Sequence, residues 1–99
     1  MYNHHLDTFI QVADAGSFGK AAEAAYISTP AIIQQINLLE EHCGFSLFSR
    51  SNHGVKLTPA GKSLYEDTLT LIRLSEDAMN KAKKLAETVK RIPLDRILL

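Results

Sequence analysis

Between Gly61 and Pro93 the chain runs for 31 residues without a glycine or a proline. Those two residues most disfavour a helix interior, so their absence predicts one continuous helix, about 45 Å long at ~1.5 Å per residue. Thr58-Pro59 supplies its start: a hydroxyl to cap the first amides, then a proline in the first turn, where a missing N–H costs nothing. Pro93 predicts the end, which divides the chain into a head over residues 1–58, the helix over 59–92 and a hinge over 93–99. Along the helix Leu64, Thr68, Leu71, Ser75, Ala78, Ala82, Leu85 and Val89 alternate steps of four and three. That 3.5-residue period marks a seam for pairing helices, and the small residues in its middle favour close approach. A second apolar line, Tyr65, Leu69, Ile72 and Met79, lies beside it. Two apolar stripes are more than a solitary exposed helix tolerates. The helix is also too long to fold back over so small a head, so a homodimer is expected.

The head reads as three short helices and a hairpin. Leu6, Phe9, Ile10 and Ala13 keep the spacing of one helix face, with Gly16 as a stop. Ser17 caps a second segment in which Phe18, Ala21, Ala22 and Ala25 repeat that spacing. Ile27-Ser28-Thr29-Pro30 is a tight turn into a third helix, which runs to about Cys43 and ends at Gly44. Leu47-Phe48-Ser49-Arg50 and Val55-Lys56-Leu57 have strand character and are separated by a four-residue polar loop, Ser51-Asn52-His53-Gly54. The fold expected is mainly α: a winged helix-turn-helix followed by a long dimerisation helix. In that arrangement the helix after the tight turn enters the major groove of DNA.

Composition narrows the alternatives. The formal net charge is zero, which runs against a function driven by cations laid on phosphates. The head is worse placed still, with Lys20, Arg50 and Lys56 against Asp7, Asp14, Glu23, Glu40 and Glu41. Any DNA affinity must therefore come from where the charges stand. The neutral balance keeps open a reading from another class, a winged helix that associates with protein and not with DNA. No apolar run approaches the ~20 residues of a membrane span, and Met1-Tyr2-Asn3-His4-His5 lacks the apolar core of a signal peptide. A lone Cys43 forms no internal disulfide, so a cytoplasmic protein is expected. Cys43 beside His42 has no third group at catalytic spacing, and the four histidines lack zinc spacing. Neither an enzyme nor a metal or other cofactor is expected.

With the elements placed, the residues resemble the N-terminal domain of the bacterial LysR-type transcriptional regulators. The pattern runs through Leu6, Phe9 and Val12; Gly16-Ser17-Phe18 with Ala21-Ala22-Glu23; Ile27-Ser28 with Pro30-Ala31; and Gln35-Ile36 with Leu39-Glu40. It continues through Gly44, Leu47-Phe48 and Arg50, then Gly54, Leu57-Thr58 and Ala60-Gly61. The resemblance implies a regulator that binds promoter DNA as a dimer, or as a higher oligomer when full-length. It also implies a C-terminal domain, outside this chain, through which a small-molecule effector acts.

A helical wheel of the third helix puts Ile32, Ile36, Leu39 and Cys43 in one narrow core stripe. Thr29, Pro30, Ile33, Gln34 and Asn37 are then the expected base readers. A glutamine or asparagine amide can bond adenine N6 and N7 together, and an outward isoleucine suits a thymine methyl. The family commonly has glutamine at position 29, serine at 33 and arginine at 34; the departures bear on which operator is read. Phosphate contacts are expected from Lys20, from Ser28, and from Arg50, Ser51, Asn52 and His53 at the wing. The competing reading of Arg50 is an ion pair with an acid such as Glu40.

Overall fold

The computed structural model describes residues 4–90, and the side chains of 4–88. In chain order the elements are α1 (His4–Ala15), α2 (Phe18–Ala25), α3 (Thr29–Cys43), β1 (Phe48–Ser51), β2 (Gly54–Leu57) and α4 (Pro59–Lys90). The two strands pair antiparallel. The expected stop at Pro93 and the hinge over 93–99 lie outside the described residues.

The helix boundaries follow from local chemistry. Ser17 sits in extended backbone and its hydroxyl accepts the Lys20 amide at 3.0 Å. Ser28 does the same for Ala31 at 3.2 Å, with Pro30 in the first turn of α3. Thr58 serves two elements: Oγ1 accepts the Gly61 amide and donates to the Ser46 carbonyl, at 3.0 and 2.8 Å. At the other ends, Gly44 closes α3 in the left-handed region. Tyr26 closes α2 there too, at φ 58°, a conformation that disfavours a residue with a side chain.

One core lies beneath the three short helices and the hairpin. Phe9 and Val12 of α1, Ala21 and Ala22 of α2, and Ile32, Ile36 and Leu39 of α3 meet Leu47 and Phe48. The Phe48 ring packs against Phe9 and Phe18, with centroids 5.4 and 6.4 Å apart. The α2 alanines let α2 approach α3 closely, and α3 presents the stripe its spacing predicted, with Cys43 half-buried.

The wing differs from the sequence expectation in two ways. Its first strand is shifted by one residue, to Phe48–Ser51, because Leu47 is wholly buried with its amide held by Glu40. The four-residue loop contracts to a two-residue turn, Asn52-His53, because Ser51 pairs with Gly54. Gly54 can enter the ladder since it has φ 111° and lies against the α1–α2 corner, where the Val55 amide donates to the Gly16 carbonyl at 3.0 Å. A Cβ on Gly54 would overlap that carbonyl oxygen, and one on Gly61 would overlap the carbonyl oxygen of Leu47.

The helix α4 begins as part of the head and ends as a projection from it. Leu64 and Tyr65 pack on the core, and Tyr65 donates a 2.6 Å hydrogen bond to Asp14 on α1. Thr68 is 0% exposed within the protomer. Of the expected pairing positions, Thr68 is thus enclosed by its own chain and Leu64 is half-buried against the head. Leu71, Ala78, Ala82 and Leu85 are exposed and Ser75 is half-buried. The side chain of Val89 lies outside the described ones. With α4 projecting, the molecule measures 65 × 27 × 19 Å.

Candidate nucleic-acid interface

The outward side of α3 is held in place from three directions. Its core stripe anchors it below. Thr8 of α1 donates to Oε1 of Gln35 at 2.5 Å, fixing the helix against α1. On the wing side, Arg50 donates through Nη2 to Asn37 Oδ1 at 2.8 Å and to Glu40 Oε1 at 2.6 Å. The guanidinium also lies over the Phe18 ring, 5.0 Å from its centroid. Glu40 in turn accepts the Leu47 and Phe48 amides on Oε2, at 2.6 and 3.2 Å. One carboxylate thus joins α3, the loop after it and the wing.

On this frame Thr29, Pro30, Gln34 and Asn37 are exposed along one side of α3. Ile33 stands among them but is half-buried, so the apolar position is less open than its place on the helical wheel implied. Lys20 and Ser28 are exposed nearby in the chain, as are Ser51, Asn52 and His53 at the wing tip. Arg50 is in the ion pair that was the alternative reading, its side chain 38% exposed against 14% for Glu40. Sequence reasoning named Glu40 as a partner but missed its two amide acceptances, the Asn37 bond and the stacking on Phe18. No periodicity links residues ten apart across a loop. The Tyr65–Asp14 and Thr8–Gln35 bonds were missed for the same reason. Asp14 holds the Tyr65 phenol above its ordinary pKa, first through the hydrogen bond, then through burial and the nearby charge.

An exposed polar helix face opposite an apolar stripe, with a hairpin beside it, is the geometry of a groove-reading winged helix-turn-helix. The family model for "Bacterial regulatory helix-turn-helix protein, lysR family" matches residues 3–62. The chain belongs to the LysR family. Among LysR-type relatives it is similar to the HTH-type transcriptional regulator BudR of Klebsiella aerogenes, 44% identical over 82 residues, which make up 83% of this chain and 57% of that protein. It is similar also to the regulator TfdS of Cupriavidus pinatubonensis, 39% identical over 78 residues, covering 79% of this chain and 26% of that one. The chain thus spans about half and about a quarter of these LysR-type relatives. Solved structures agree. The CbnR DBD–DNA complex matches with a TM-score of 0.80 at 34% identity, over 87% of this chain and 99% of that one. The BenM DBD/catB site 1 DNA complex matches at 0.82 and 33%, over 89% and 95%.

Proposed function

We propose that the chain is the sequence-specific DNA-binding head of a LysR-type transcription regulator and acts as a homodimer on promoter DNA. The observation that carries this reading is the exposed row Thr29, Pro30, Gln34 and Asn37 on a helix braced from both sides. The fold around it is that of domains solved on DNA. Gln34 is the leading base reader, with Thr29, Pro30 and the half-open Ile33 beside it. Lys20, Ser28, Ser51, Asn52 and His53 supply backbone contacts, while Arg50 acts chiefly through the residues it holds. Pairing through Leu71, Ser75, Ala78, Ala82 and Leu85 doubles these contacts, which answers the lack of net charge. The reading assigns the chain no catalytic step and places it in the cytoplasm. Among the described residues no helix is long and apolar enough to cross a membrane. An effector acts through a further domain of the whole protein, as the short span against its relatives supports.

The test is affinity for duplex DNA carrying two half-sites as salt is raised. Displaced counterions make log affinity fall steeply with log salt. Gln34→Ala relaxes preference at one base pair without lowering affinity for all sequences. A flat salt response, or no binding at low salt, refutes the reading and favours protein association.

A further inference from the structure

The bond between Arg50 and Asn37 decides what kind of reader Asn37 is. A guanidinium has donors only, so the atom it meets at 2.8 Å must be the amide oxygen of Asn37. That oxygen is occupied from the wing side. What Asn37 keeps wholly uncommitted is its NH2 group, a pair of donors, while its oxygen retains one lone pair beside the guanidinium charge. Recognising adenine with both atoms of an amide needs an oxygen to accept from N6 and a nitrogen to donate to N7. Shared with a guanidinium, the Asn37 oxygen is a poorer acceptor, and the positive charge beside it disfavours the N6 donor. Guanine presents acceptors at both O6 and N7, which is the complement of what remains.

We propose that Asn37 enters the major groove chiefly as a hydrogen-bond donor and selects guanine over adenine, with Arg50 as the positioning residue that imposes this. The inference rests on α3 being the reading helix. Arg50 is well placed for the task because Glu40 and the Phe18 ring hold the guanidinium independently of Asn37. The amide is oriented before DNA arrives, at no cost on binding.

The experiment is selection from a library of duplexes with randomised half-sites, using the 99-residue chain and three variants, with helicity checked by circular dichroism. Asn37→Ala should erase a guanine preference of about tenfold at one base pair. Arg50→Ala frees the amide oxygen and should move the preference at that same base pair to adenine. A merely structural arginine would lower affinity without changing the base chosen. Asn37→Asp keeps the partner for Arg50 but turns the reader into an acceptor, and should shift the preference to cytosine, whose N4 donates. If the unaltered chain prefers adenine at the Asn37-dependent position, the proposal is overturned. It is equally overturned if guanine persists there in Arg50→Ala, or, should that variant not fold, in Asn37→Asp. Failure of the underlying reading looks different: Gln34→Ala and Asn37→Ala would both leave the whole profile unchanged. A response to Gln34→Ala with none to Asn37→Ala sinks this proposal alone.

Discussion

Replacing Glu40 by alanine removes the acceptor of three donors at once: the amides of Leu47 and Phe48 and the guanidinium of Arg50. The three losses are unequal. Leu47 and Phe48 are buried residues, and an amide stranded in such a place costs about 1 to 3 kcal/mol. Arg50, with a side chain more than a third exposed, regains water, and an ion pair so open contributes about 0 to 1 kcal/mol. Glu40→Ala should therefore destabilise by about 3 kcal/mol, chiefly through the amides. Arg50→Ala should cost about 1 kcal/mol or less, even though it breaks the same ion pair. Glu40→Gln retains a carbonyl oxygen for the amides and should fall between. In a domain of this size 1 kcal/mol corresponds to about 4 to 8 °C in Tm. The order should thus be plain in urea or thermal unfolding followed by circular dichroism, at one chain concentration because any self-association would add to stability. If Arg50→Ala costs as much as Glu40→Ala, the ion pair and not amide satisfaction holds the wing to α3, and the reasoning is refuted.

Gly54→Ala should lower stability by about 2 kcal/mol or more and loosen the hairpin, since the new Cβ would meet the Gly16 carbonyl at a positive φ; an unchanged Tm would contradict this. The raised pKa of Tyr65 means that folding favours the neutral phenol. The stability it supplies is complete below the ordinary tyrosine pKa and is lost as pH rises through the higher folded value. Tyr65→Phe should accordingly lower stability in the neutral region and flatten the alkaline limb of the stability–pH curve, and an identical limb would count against the Asp14 bond. Ala78→Glu puts a charge on the exposed part of the α4 seam and should yield monomers in sedimentation; a persisting dimer would move the interface elsewhere.

Local signals were legible in the sequence wherever the partner lies within a turn or two along the chain. Ser17, Ser28 and Thr58 mark helix starts because a cap and the amide it receives are three residues apart. Gly44 marks an end because only the backbone is involved. The core stripe of α3 was legible because burial repeats with the helix. What escaped reading depends on which distant surface arrives. The seam of α4 has one period throughout, so nothing in it distinguishes Thr68, buried by the head, from Ala78, open to solvent. The wing register turned on Gly54 meeting Gly16, a contact across 38 residues. Arg50 was legible as a cation but not as an oriented one, because its direction is set by Glu40 and Phe18 on other elements.

The fusion of the first turns of α4 to the head makes that helix a ruler for any second copy that pairs along its exposed seam. Tyr65 and Thr68 fix the azimuth of the head about the helix axis, and Leu71 to Leu85 fix where a second copy would lie. One residue inserted between the two stretches advances the head by about 1.5 Å and turns it by about 100°. For two copies paired in this way, the angle and separation of their α3 helices are thus written into the length of α4 between Thr68 and Leu71. In a pair formed along this seam, the half-site spacing an operator must have is set by that length, independently of the bases each head prefers.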